Sequence, residues 1–182
     1  YFADYTRFRG VVPSQGSKIR GFGEGGFDYG MASAEVSYNP NRFFTFTLGQ
    51  GRNFFGEGYR SMLLSDAAFN YPFFRIETSF WKIKYVNLWA ELTDIRPEVR
   101  QTGSDQIYAK KYLSSHYLSI NINSRLNIGF FEAIVLGDSA QQQGIDAAFF
   151  NPVIFYRPVE FAVGSGRGNA LIGFNTSYKL TD

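Results

Sequence analysis

Apolar and polar residues alternate along most of this chain with a period of two, the pattern of β-strands that are wet on one side only. In residues 29–39, Ala32, Ala34, Val36 and Tyr38 fall on one face and Ser33, Glu35, Ser37 and Asn39 on the other. Pro40 and Asn41 form a turn pair, after which Phe44, Phe46 and Leu48 oppose Thr45, Thr47 and Gly49, giving the second arm of a hairpin. Further on, Phe74, Ile76 and Phe80 oppose Arg75, Glu77 and Ser79. A tight reversal at Trp81 and Lys82 leads into a strand whose apolar side reads Val86, Leu88, Ala90 and Leu92, against Tyr85, Asn87, Trp89 and Glu91. A third hairpin sets Leu118, Ile120 and Ile122 against Tyr117, Ser119, Asn121 and Asn123, turns at Ser124 and Arg125, and continues through Leu126, Ile128 and Phe130. Strict alternation would place Glu132 on the apolar side, so a bulge at Phe130 and Phe131 is expected to return it to the wet side. The closing strand, residues 169–180, sets Ala170, Ile172, Phe174 and Tyr178 against Asn169, Gly173, Asn175, Ser177 and Lys179.

Helical spacing is poor throughout, and β-branched and aromatic residues fill the periodic stretches, so the fold class is all-β, with roughly eight strands of about ten residues. The connections sharpen this. Short turns at Pro40-Asn41, Trp81-Lys82 and Ser124-Arg125 alternate with long links over residues 53–72, 95–115 and 137 to about 168. One-sided long links are what an antiparallel up-and-down transmembrane β-barrel of the outer membrane has, with short periplasmic turns and long extracellular loops. A soluble β-sandwich has the same alternation without a reason to sort its loops. Aromatics near strand ends (Tyr29, Tyr38, Phe44, Phe80, Trp81, Tyr117, Tyr178) fit the girdles of such a barrel. Because the chain ends in Thr181 and Asp182 rather than an apolar residue, the expectation is one barrel domain over 1–182 that is a fragment of a larger barrel.

Composition agrees with a sheet that is wet on one side. Twenty Phe, twelve Tyr and two Trp accompany a mean hydropathy of only -0.19. No run approaches the ~20 apolar residues of a membrane helix. A net charge of +2, with basic residues scattered among acidic ones, excludes a nucleic-acid partner. Zero cysteines exclude disulfides and thiolate metal sites and leave the compartment open.

The densest chemistry lies between Gly49 and Asp66. Gly49, Gly51, Gly56 and Gly58 permit close backbone approach, Arg52 and Arg60 offer bidentate donors, and Asn53, Phe54, Phe55 and Tyr59 supply an amide and flat surfaces. Such a set suits sugar hydroxyls and carboxylates. It equally suits a structural segment folded into a lumen, with Arg52 and Arg60 paired to lumen acids such as Glu77, Glu91 or Glu132, beside Arg75. A phosphate loop would need Lys followed by Ser or Thr at a helix mouth, which the segment lacks. Nothing fixes Glu57 and Asp66 at the separation that glycoside hydrolysis requires. The single histidine, His116, reads as an interfacial or loop residue at a strand start, insufficient for a triad or metal site. No enzyme activity, cofactor or metal is therefore expected. A second cluster, residues 151–161, carries Arg157 and Glu160 between prolines and reads as an ordered loop or lumen-lining segment.

The run from Gly49 to Asp66, with Phe69-Asn70-Tyr71-Pro72, resembles the glycine, arginine, double-aromatic, glycine, leucine-serine-aspartate motif of the Wzi-type capsule-assembly barrels. It is closer still to their gliding-motility-associated, RemB-like relatives, which residues 151–161 and Gly168-Asn169-Ala170-Leu171 also resemble. The likeness covers about two thirds of the chain, and Phe54 and Phe55 stand where capsule-type members carry paired tryptophans. It implies a barrel larger than this chain, in the outer membrane of a Gram-negative bacterium, in contact with outer-membrane lipid. In one branch it implies a partner in surface polysaccharide (capsule assembly), in the other a role beside envelope proteins of a gliding-motility or secretion machine.

Overall fold

The computed structural model describes residues 19–22, 26–94, 109–137, 147–153 and 168–180. Strands β1 (Ile19–Phe22) and β2 (Gly26–Tyr29) pair as a two-stranded sheet. The remaining strands are β3 (Ala34–Tyr38), β4 (Phe44–Gly51), β5 (Tyr71–Phe80), β6 (Ile83–Asp94), β7 (Ala109–Asn121), β8 (Leu126–Leu136) and β9 (Gly168–Tyr178). They form one seven-stranded antiparallel sheet in chain order, an up-and-down meander. A single 3-10 turn over Ala147–Phe150 is the only helical element among the described residues. The all-β antiparallel expectation holds. Among the described residues β3 and β9 stand at the two edges, and the sheet is open rather than closed into a barrel.

The short turns all fall at one end of this sheet and are built from local chemistry. Asn41 Oδ1 accepts from the amides of Phe43 (2.8 Å) and Phe44 (3.2 Å), and Asn123 Oδ1 does the same for Arg125 (2.8 Å) and Leu126 (2.9 Å). Each is an Asx turn that bends the chain without a regular ladder. Between β5 and β6, Phe80 pairs with Ile83 around the two-residue turn Trp81-Lys82, and Trp81 has φ of 53°. A positive φ at the first turn position suits the right-handed twist of a hairpin but strains any residue other than glycine. Tyr38, Phe44, Phe80, Trp81 and Tyr178 gather at this end and are exposed, Trp81 by 83%. Two of the expected girdle residues are elsewhere: Tyr29 is on β2, and Tyr117 is buried in the middle of β7.

Pairing puts Tyr38, Phe46, Ile76, Asn87, His116, Glu132 and Ile172 in one row across all seven strands of the large sheet. Their face, the open face, also carries Val36, Phe44, Leu48, Phe74, Phe80, Ile83, Phe130 and Phe174, all exposed. The opposite, covered face carries the core: Tyr71, Phe73, Val86, Leu88, Ala90, Leu113, Tyr117, Phe131 and Ala133 pack together with Phe55 from the β4–β5 link.

Three expectations are corrected here. Val86, Leu88, Ala90 and Leu92 do not share a face with Phe46, Ile76 and Phe174. The turn pairs Phe80 with Ile83, so Tyr85, Asn87 and Trp89 lie on the open face and Val86, Leu88 and Ala90 on the covered one. There is no bulge at Phe130 and Phe131. Both residues pair in unbroken register with β7 and β9, so Glu132 stays on the open face between His116 and Ile172. His116 is neither at a strand start nor in a loop: β7 begins at Ala109, and His116 is buried near its centre.

Candidate functional site

The segment 52–70 leaves β4, folds back across the covered face and returns to β5. Its base is fixed by polar contacts. Tyr71 Oη accepts from the Asn53 amide (3.1 Å), and Asn53 Oδ1 accepts from an Arg75 guanidinium nitrogen (2.7 Å). Arg75 Nε stands 2.9 Å from Glu77 Oε1, and Lys84 Nζ stands 2.8 Å from Glu77 Oε2. Asn70 donates to the Ala32 carbonyl (2.9 Å) and to Ser33 Oγ (2.6 Å), tying the far end of the segment to the approach to β3.

Its middle is fixed by packing. The Phe55 ring stacks on Tyr117 at 5.3 Å between centroids and tilts against Phe131 at 5.9 Å. Phe55 also pairs with Leu64 in an isolated bridge, its amide donating to the Leu64 carbonyl at 2.9 Å. Ser61 Oγ donates back to the Phe55 carbonyl and accepts from the Leu63 amide (3.0 Å). Gly56 turns with φ of 123°, a conformation that L side chains rarely adopt. Leu63 reaches the backbone of Gly173 on β9 so closely that a Cβ there would collide with its Cδ2. Between these anchors Glu57, Gly58, Tyr59 and Arg60 are exposed, Tyr59 by 93%, with the Arg60 guanidinium 5.9 Å from the Tyr59 ring centre. Met62 is 94% exposed.

The expected site residues therefore divide into two groups. Asn53, Phe55 and Gly56 form the structural footing, Arg52 bonds the Asp66 carbonyl (3.1 Å), and Tyr59, Arg60 and Gly58 form an exposed tip beside the exposed Phe54. The expected pairing of Arg52 and Arg60 with lumen acids does not occur, because Glu77 is taken by Arg75 and Lys84 and Glu91 by Lys110 at 2.7 Å. Nor do the four expected lumen charges share a surface. Arg75 and Glu77 lie on the covered face, Glu91 and Glu132 on the open face. Arg157 and Glu160 lie outside the described residues.

Sequence reasoning missed a second constellation, on the open face. His116 Nδ1 contacts Asn87 Oδ1 at 2.7 Å and Tyr85 Oη at 3.2 Å. Because the Tyr85 hydroxyl donates to the Pro152 carbonyl (2.6 Å), it faces Nδ1 as an acceptor, as Asn87 Oδ1 does. The imidazole is therefore protonated on Nδ1 and presents a lone pair at Nε2. Trp89 Nε1 donates to the Phe149 carbonyl (3.1 Å), so residues 147–153 overlie this polar row. Counting through the turn at Ser124 and Arg125 could have put His116 and Glu132 at one level, but Asn87 joins them across the long link between β6 and β7, for which no local signal gives the register. No group of three or more His, Cys, Asp or Glu among the described residues could hold a metal ion. The chain matches no family model, no curated protein and no solved structure.

Proposed function

We propose that this chain forms part of the wall of an outer-membrane β-barrel larger than seven strands, which holds surface polysaccharide without catalysing a reaction. The observation that carries the reading is the open face. Large apolar side chains are exposed along it on β3, β4, β5, β6, β8 and β9, with Leu118 and Ile120 of β7 half-buried between them, and aromatics collect at the short-turn end. Such a surface on a soluble sheet would be an aggregation hazard, whereas hydrocarbon with an interfacial aromatic girdle accommodates it. Strands β5 to β9, of 10 to 13 residues, have the length of tilted membrane-crossing strands, about 9 to 11 residues. A β-sandwich has less support, since the described residues hold only one sheet of more than two strands.

The polysaccharide role rests on the exposed tip, where Tyr59 offers a stacking surface and Arg60 a fork for carboxylates or hydroxyls. The full-length protein should fractionate with outer membranes and migrate differently on gels with and without heating. Recovery as a soluble monomer without detergent sinks the barrel reading. Arg60→Ala and Tyr59→Ala should lower retention of surface glycan while leaving heat-modifiability intact. Unchanged retention with altered gliding or secretion assigns the tip to a surface machine instead.

A further inference from the structure

The short-turn half of the covered face holds no large apolar side chains on β7 to β9. Ser119, Asn121, Asn127, Asn175 and Ser177 line it, with Ser79 and Lys84 completing the row toward β5. This polar surface runs up to the segment 52–70 and stops there, where Phe55 and Leu63 press onto Tyr117, Phe131 and Gly173. We propose that segment 52–70 is a displaceable plug, and that the covered face is one wall of a conduit for small neutral hydroxylated solutes, shut in this state. The inference rests on the barrel reading above and adds conduction to it.

Three observations argue for displacement rather than permanent packing. Ser115 Oγ and the Asn175 amide nitrogen are buried without a hydrogen-bond partner on this face, Ser115 in the row that also holds Leu88 and Ala133 of the plugged core. A buried polar atom without a partner disfavours the state that buries it, and lifting the plug would return Ser115 Oγ to water. The footing is also divided, with a polar latch at Asn53 and Arg75 and a separate apolar wedge at Phe55 and Leu63, joined through exposed residues. The third is the sparse charge of the wall's short-turn half. Glu77 binds both Arg75 and Lys84, leaving one net positive charge, and hydroxyls and amides line that half on β7 to β9, a lining that suits neutral polyhydroxylated solutes better than ions.

The experiment uses the full-length protein in liposomes. A leucine side chain in Gly173→Leu would occupy the space taken by Leu63 and force the plug off the wall. Swelling of these liposomes in an isotonic neutral monosaccharide should be at least tenfold faster than with the unchanged protein, with Met62→Ala, at an exposed position of the same segment, giving no acceleration. In parallel, Ser115→Cys introduces a thiol beneath the plug, with labelling read against the full-length protein that retains Ser115. A membrane-impermeant maleimide should label it slowly, and at least tenfold faster when Gly173→Leu is added. Heat-modifiable Gly173→Leu protein with unaltered swelling and labelling overturns the plug. Faster labelling with no swelling overturns the conduit and leaves a mobile segment. Failure of the unchanged protein to enter liposomes overturns the barrel reading itself.

Discussion

Replacing Phe55 by Ala tests whether one ring fastens segment 52–70 to the sheet. The ring is buried, stacks on Tyr117 and tilts against Phe131. Truncating a buried Phe costs about 3 to 5 kcal/mol, and each aromatic pair adds about 0.5 to 1.5 kcal/mol beyond area burial. Phe55 sits in a link rather than in a strand of the sheet, so the space it leaves can fill with water or collapse. That places the loss near the lower bound, about 3 kcal/mol. The loss falls on local opening, because the ladder partners of β6 to β8 are untouched. At about 1.4 kcal/mol per tenfold, opening of the segment should rise on the order of 100-fold. Hydrogen exchange of the purified protein, read for peptides covering 52–66 and 83–92, measures this directly. The reasoning predicts faster exchange at the Phe55 and Leu63 amides, which donate to Leu64 O and Ser61 Oγ, with little change in β6. Equal acceleration in both peptides, or in neither, refutes it.

Three further outcomes follow from named contacts. At position 81, Ala and Gly both remove the ring but only Gly relieves the positive φ, so Trp81→Gly should be more stable than Trp81→Ala by about 1 kcal/mol in urea unfolding. Arg75→Met leaves Asn53 Oδ1 and Glu77 without their half-buried partner and should cost about 1 to 3 kcal/mol, whereas Lys84→Met, at a side chain 53% exposed, should cost less than about 1 kcal/mol in the same assay. Trp89→Phe removes the indole donor to the Phe149 carbonyl, and limited proteolysis should then cut within residues 147–153 severalfold faster, with cleavage in 52–70 unchanged.

Much of this architecture is legible in the sequence because alternation and turn chemistry are local. Asn41, Asn123 and the Trp81-Lys82 pair mark the reversals, and the long links fall between them on the other side of the sheet. What alternation alone does not tell is which of a strand's two sides joins which side of its neighbour. Val86, Leu88 and Ala90 look like lipid-facing residues, yet they belong to the same buried cluster as Phe55, because an apolar side chain satisfies its pattern equally well against a plug or a bilayer. Counting through the two-residue turn from Phe80 resolves the choice. Glu132 invited a bulge because a lone carboxylate on an apolar face is costly. The carboxylate is not alone at that level: His116 and Asn87 share its row, and no local pattern announces a row that crosses three strands. The footing of the 52–70 segment was legible in residue types, with glycine and aromatics together, but its partners on β5, β7 and β9 are long-range and left no trace in spacing.

The unbroken register of β3 to β9 makes residue parity a rule of this fold. Adding or removing one residue inside β8 would exchange its two sides, turning Phe131 and Ala133 out of the core and Glu132 into it, whereas a two-residue change would shift the strand and keep every side chain on its face. Length variation is therefore expected in even steps within strands and in any step within the link between β8 and β9, so a library of one- and two-residue insertions across residues 126–136 should sort into folded and unfolded variants by odd or even length.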